Sequence, residues 1–183
     1  ASNEYNGVTT GQDLSESRSE EQLIEDAVKA AADADVVLFF GGLNKDGHQD
    51  SEGTDRVSYG LPYAQDKVIE ALSAANPRLV VGLVSGNAVA MPWVESVPAI
   101  LQCWFCGSQA GNSIADVVFG TVNPSGKLPF TFPVRIEDSP AHALGAYTCS
   151  SDVKYEEGIY VGYRWYDARH IRPLYPFGHG LSY

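Results

Sequence analysis

One polar stretch gathers the side chains most able to do chemistry. Between residues 44 and 56 the chain reads Asn-Lys-Asp-Gly-His-Gln-Asp-Ser-Glu-Gly-Thr-Asp-Arg, which brings His48, Asp50, Glu52, Asp55 and Arg56 close together. Clustered carboxylates suit general acid–base catalysis when one of them stays protonated near neutral pH. Neighbouring carboxylates raise one another's pKa, whereas the Arg56 guanidinium lowers that of its nearest partner. Glu52, Asp50 and Asp55 are therefore all candidates for acid/base work, and His48, on the same loop, is a candidate ligand contact. The plain alternative is a solvated surface loop.

Other constellations are weaker. Cys103-Trp104-Phe105-Cys106 follows an apolar run and precedes a helical one, as a thioredoxin-like Cys-x-x-Cys would, yet nothing else of a redox domain is evident. Ser85 lacks the G-x-S-x-G spacing of a nucleophile elbow. Gly41-Gly42 lacks the glycine spacing that cradles a pyrophosphate. The histidines (48, 142, 170, 179) show no metal-ligand spacing, so neither a metal nor another cofactor is expected. The run Tyr155-Glu156-Glu157-Gly158-Ile159-Tyr160-Val161-Gly162-Tyr163-Arg164-Trp165-Tyr166 could offer aromatic faces to a sugar, but its alternation predicts a strand packed on one face.

The elements that position the polar loop are legible around it. Ser19-Glu20-Glu21-Gln22 has the form of a capping box, and Leu23, Ile24, Ala27, Val28 and Ala31 continue it with helical spacing to about Asp33. Val36-Val37-Leu38-Phe39-Phe40, closed by Gly41-Gly42, predicts a strand buried on both faces. Leu61-Pro62 predicts a helix start and Asn76-Pro77 its end. Residues 79–84 and 97–102 predict two more strands, with a short helical stretch near 88–95 between them and a helix over 108–119 after them. This alternation implies βαβ crossovers, hence a three-layer αβα sandwich with a mainly parallel, flavodoxin-like sheet. The polar loop leaves the carboxyl end of the first strand, where open α/β sheets bind ligands. Residues 1–18 are expected to be a polar lead-in and 19–183 the sandwich, with a few short strands or hairpins in an irregular wrap from about 121.

Composition narrows the classes further. A length of 183 residues suits one domain, and 44% hydrophobic with 19% charged residues is an ordinary globular balance. Net charge is -11, and residues 1–70 hold 15 Asp/Glu against 5 Lys/Arg, so the acidity surrounds the polar loop. Such a chain repels phosphate backbones and anionic membranes, which argues against nucleic-acid and membrane partners and leaves neutral sugars open. No apolar run approaches a membrane span. Three cysteines are too few for a disulfide scaffold.

An ordered set of motifs carries a resemblance. It runs through Glu52-Gly53-Thr54-Asp55-Arg56, Leu61-Pro62 with Gln65, Val84-Ser85-Gly86, Pro92-Trp93 and Ala110-Gly111-Asn112-Ser113-Ile114-Ala115-Asp116-Val117. It continues through Phe119-Gly120, Asn123-Pro124-Ser125-Gly126-Lys127-Leu128-Pro129, Thr131-Phe132-Pro133, Val161-Gly162-Tyr163-Arg164 and Pro176-Phe177-Gly178-His179-Gly180-Leu181-Ser182-Tyr183. Over roughly residues 20–183 the chain resembles the C-terminal α/β-sandwich domain of family 3 glycoside hydrolases, the β-glucosidase and β-xylosidase group.

The resemblance implies a retaining enzyme that removes terminal β-linked sugars, with an oligosaccharide or β-glucoside as substrate and a secreted or periplasmic location. In that family an N-terminal TIM barrel supplies an aspartate nucleophile and most of the sugar pocket. The resemblance gives Glu52 the general acid/base role, with Asp50 as nearest substitute; His48 and Asp50, on the same loop as Glu52, are expected to bind the substrate. It makes Asp55 and Arg56 an internal pair that shapes the loop. It also implies a first sheet strand ahead of the acidic helix that this chain lacks, so a sheet edge is expected to be covered by a partner chain (a homo-oligomer), a swapped segment or another domain. The isolated chain is expected to be inactive for want of the barrel nucleophile. A non-catalytic carbohydrate-binding or interaction module is the alternative.

Overall fold

A computed structural model describes residues 16–44, 48–147 and 151–183. Most of the polar lead-in, together with Lys45, Asp46, Gly47 and Cys149, lies outside the described residues. The chain forms two compact units, residues 1–110 and 111–183.

In the first unit, helix α1 spans Glu20–Ala32. Its capping box is formed as the sequence predicts: Ser19 Oγ accepts from the Gln22 N–H at 3.2 Å, and the Gln22 side chain accepts from the Ser19 N–H at 2.9 Å. Strands β1 (Val37–Gly42), β2 (Leu79–Val84) and β3 (Ala99–Gln102) make a parallel sheet in the order β1-β2-β3. Val37 pairs with Leu79, and Val80 with Ala99. Helix α2 (Gln65–Ala75) joins β1 to β2, packs on both, and is in contact with α1. This is the α/β architecture expected, a three-stranded parallel sheet flanked by helices.

The core of this unit is where the two periodicities meet. Ile69 and Leu72 of α2 are buried with Leu79, Val81 and Leu83 of β2. Gly82 lies between them because a Cβ there would run into the Phe40 ring of β1. Asn76 is buried just after α2, and its Nδ2 donates to the carbonyls of Ala31 and Ala34 at 2.9 and 2.8 Å. It thereby adds a side-chain donor at the end of α1, where the Ala31 carbonyl also accepts the Ala34 N–H at 3.2 Å.

Three local expectations for this unit are corrected. β1 is not buried on both faces: it is the edge strand, α2 is the helix that packs on it, and Val36, Leu38 and Phe40 remain exposed, Phe40 at 46%. α2 begins at Gln65 rather than at Leu61-Pro62, because Tyr63 and Ala64 hold left-handed backbone (φ 58° and 57°). Gln65 ties that turn down, donating to the carbonyls of Pro62 at 3.0 Å and Gly42 at 2.8 Å and accepting from the Gly42 N–H at 2.7 Å. The helical stretch near 88–95 reduces to a single 3₁₀ turn at Val94–Ser96, preceded by irregular chain that buries Val89, Met91 and Trp93.

The second unit opens within helix α3 (Ala110–Val118) and adds the short helices α4 (Pro140–Ala143) and α5 (Tyr163–Arg169). The expected strands and hairpins after Gly120 reduce, among the described residues, to one antiparallel bridge between Phe132 and Tyr175. Around it Phe132 accepts from Leu174 and donates to Tyr175, and Leu128 exchanges backbone bonds with Gly178 and His179. The strand predicted over 155–166 is also corrected. Gly162, at φ 59°, turns the chain into α5, so Trp165 and Tyr166 are buried while Tyr155, Ile159, Tyr160 and Val161 are exposed. Trp165 Nε1 donates to the Asp138 carbonyl at 3.1 Å, and the Arg169 guanidinium lies 4.3 Å from the Trp165 ring centroid.

Candidate active-site loop

The candidate loop leaves the carboxyl edge of the sheet and returns across it. Leu43 extends the β1–β2 pairing by donating to the Val84 carbonyl at 2.8 Å. The chain beyond it closes on itself. The Asp50 N–H donates to the Asn44 carbonyl at 3.0 Å, and the Asn44 N–H donates to Gln49 Oε1 at 3.1 Å. Gln49 Nε2 donates to the Tyr63 hydroxyl at 2.8 Å. His48, whose φ is 66°, donates its N–H to Thr54 Oγ1 at 3.0 Å. Its Nδ1 lies 3.2 Å from the Asp55 carbonyl, a bond made when that nitrogen carries the proton. Ser51 Oγ and Thr54 Oγ1 share a hydrogen bond of 2.6 Å.

The result is a small ring over residues 48–55 with Glu52 and Gly53 at its turn. Gly53 takes φ 85°, a conformation costly for residues with a Cβ, which lets the chain reverse directly after Glu52. Glu52 is exposed and, among the described residues, has neither a hydrogen-bond nor an ion-pair partner. A carboxyl so placed is free to meet a ligand.

Two neighbours fasten the ring to the sheet. Asp50 Oδ2 accepts the Gly86 N–H at 2.7 Å, and its Oδ1 accepts Asn87 Nδ2 at 2.9 Å. Arg56 Nη2 donates to the Ala88 carbonyl at 2.8 Å, and the guanidinium lies 5.8 Å from the Tyr59 ring centroid. Burial lowers the pKa of Arg56, and the negative charge of Asp50 opposes that shift. Arg56 Nη1 is buried with no hydrogen-bond partner among the described residues. The Ala90 N–H then donates to the Tyr59 carbonyl at 2.8 Å, closing the base of the strap.

Of the residues singled out from sequence, Asp50, Glu52, Asp55, Arg56 and His48 thus fall in one strap at the carboxyl end of β1 and β2. Sequence reasoning missed Asn87, Gln102 and the load that Ser85 carries beside them. Asn87 and Asp50 are 37 positions apart, and no local pattern links them.

Cys103 and Cys106 also sit at this end of the sheet but do not resemble a reactive pair. Burial, reinforced by Cys106, pushes the Cys103 thiol up to about 11, so it is not a thiolate near neutral pH. Cys106 is exposed and donates its S–H to the Cys103 carbonyl. In a Cys149→Ser version of this chain at pH 8, Ellman's reagent should label Cys106 promptly and Cys103 only on unfolding. Equal labelling of both would contradict this placement.

The match to the family described as glycosyl hydrolase family 3 C-terminal domain runs over residues 1–183. The β-glucosidase BoGH3A of Bacteroides ovatus is 53% identical over 166 residues, which is 89% of this chain and 22% of that protein. The crystal structure of a β-glucosidase from Kluyveromyces marxianus in complex with glucose aligns with a TM-score of 0.86 at 36% identity, covering 92% of this chain and 20% of the other. DesR, a β-glucosidase from Streptomyces venezuelae in complex with D-glucose, aligns with a TM-score of 0.83 at 39% identity, covering 89% and 20%. The chain therefore spans about a fifth of the length of the proteins it matches.

Proposed function

Because the chain belongs to the glycosyl hydrolase family 3 C-terminal domain family, we propose that it is the acid/base-bearing domain of a larger retaining β-glucosidase, with Glu52 as the proton donor and acceptor. The observation that supports this most is the placement of Glu52. Among the described residues it is an exposed carboxyl with no hydrogen-bond or ion-pair partner, at the turn of a strap that is otherwise bonded to itself and to the sheet.

In a retaining mechanism the two carboxyls stand about 5–5.5 Å apart. One attacks the anomeric carbon while the other protonates the departing glycosidic oxygen. The second then takes a proton from the water that releases the sugar. Glu52 serves as the second carboxyl, and the nucleophile comes from the part of the polypeptide beyond this domain. His48 stands beside Glu52 on the exposed side of the strap, Asp50 lies at its root against the turn after β2, and Asp55 and Arg56 shape it. Neutral glucosides suit this face, since its acidic surroundings disfavour anionic ligands.

The 183-residue chain alone should give no enzyme-like turnover of nitrophenyl β-glucoside, whereas the larger polypeptide should. In the larger polypeptide, the loss caused by Glu52→Gln must grow as the leaving group becomes poorer. Turnover by the isolated chain, or a loss indifferent to leaving group, contradicts the proposal. Sugar binding by the isolated chain that survives Glu52→Gln unchanged would favour a binding module instead.

A further inference from the structure

We propose that Asp50 is a positioning residue for Glu52: it sets the proton donor in place by pinning the root of the strap to the turn that follows β2. This rests on the acid/base reading of Glu52 given above.

The turn is itself immobilised from the sheet. Ser85 is fully buried, and its Oγ donates to the Asn87 carbonyl at 2.8 Å. Gln102, the last residue of β3, donates its Nε2 to Ser85 Oγ at 3.0 Å and to the Ser85 carbonyl at 3.2 Å. The turn therefore presents the Gly86 N–H and the Asn87 amide as fixed donors. Asp50 takes one with each carboxylate oxygen. Bonds of this kind, with an ionised acceptor, are stronger and more directional than neutral ones.

The path from β3 to the proton donor is short: Gln102 holds Ser85, Ser85 holds Asn87, Asn87 and Gly86 hold Asp50, and Glu52 stands two residues further on. Arg56 fastens the other root of the strap to Ala88, next to the same turn. A strap secured on both sides of its apex confines the apex. Both oxygens of Asp50 already accept protein N–H groups, so the anchoring role accounts for its carboxylate without a direct contact to sugar. Gly86 fits this use, because a Cβ there would come within 3.4 Å of Asp50 Oδ2 and 3.0 Å of the Phe105 ring.

The test uses the full-length enzyme and a series of aryl β-glucosides whose leaving groups range from dinitrophenolate to phenolate and alkoxide. The quantity read is kcat/KM, which reports the step in which the acid acts. Displacing a catalytic group by about 1 Å costs on the order of 10²-fold. Asp50→Asn should therefore lower kcat/KM by roughly 10–100-fold on the poorest leaving groups and by much less on the dinitrophenyl substrate. Asn87→Ala should do the same to a smaller extent, and it carries the test if Asp50→Asn does not fold. The double variant should be no worse than Asp50→Asn, because both changes remove one shared bond. The basic limb of the pH profile, which reports the acid's ionisation, should shift in both variants.

A loss equal across all leaving groups, or an unmoved basic limb, overturns the inference and makes Asp50 a substrate ligand or a stability residue. Glu52→Gln on the same series separates the two readings. If Glu52→Gln shows the leaving-group dependence and the Asp50 and Asn87 variants do not, this inference alone falls. If Glu52→Gln shows none, the acid/base assignment falls and this inference with it.

Discussion

Glu52→Gln, made in the intact enzyme, is expected to cut kcat/KM on β-glucosides with poor leaving groups by about 10²–10⁴-fold, the range that a positioned general acid supplies. The amide keeps the shape of the side chain and loses only the transferable proton. A dinitrophenolate leaves without that proton, so its glucoside should stay within about tenfold of wild type in kcat/KM. On the acid/base role proposed for Glu52, release of the enzyme-bound sugar also needs it, now as a base toward water. Turnover of the dinitrophenyl substrate should therefore stall at that stage, and azide, which needs no base, should restore it and yield the glycosyl azide. Because Glu52 has no hydrogen-bond or ion-pair partner among the described residues, the substitution should leave the unfolding free energy in urea unchanged within about 0.5 kcal/mol. A matching drop on both substrates, without azide rescue, would move the role to another carboxyl.

The largest expected effect on stability lies elsewhere. Phe132 is 1% exposed and, among the described residues, is the largest of the fully buried side chains. Its ring stacks on Phe130 at 5.4 Å and meets Tyr175 edge-on at 6.4 Å. Its N–H and carbonyl both bond the 174–175 segment. Truncating a buried phenylalanine removes its transfer free energy and leaves a cavity, together costing about 3–5 kcal/mol. Phe132→Ala should lower the stability of the chain by that amount in urea unfolding. A change below about 1 kcal/mol would mean that the surroundings collapse onto the gap or that Phe132 is not central.

How much of this was legible varied with how local the cause was. The α1 cap is written in four consecutive residues, Ser19 to Gln22, and forms as they imply. β2 is bracketed by Pro77 and Gly86, and its apolar run gives its bounds directly. The start of α2 is not legible from its proline, because a proline after Leu61 normally opens a helix. Here the chain first passes through left-handed Tyr63 and Ala64, held by a Gln65 side chain that reaches 23 positions back to Gly42. The alternation at 155–166 misled for a similar reason: spacing gives a side-chain period, while the Gly162 backbone decides where the helix begins. In the site, carboxylate clustering singled out the strap. It could not tell Asp50 from Glu52, because the difference lies in two donors at positions 86 and 87.

The exposed face and outer edge of β1 bear on how this domain can be handled. Among the described residues no strand lies beyond β1, and Leu38 and Phe40 stand open on it. A parallel edge with apolar side chains is a template for adding further strands, including those of identical chains. Material prepared as these residues should lose monomers as concentration rises, and dilution or lysines on the edge strand should slow that loss.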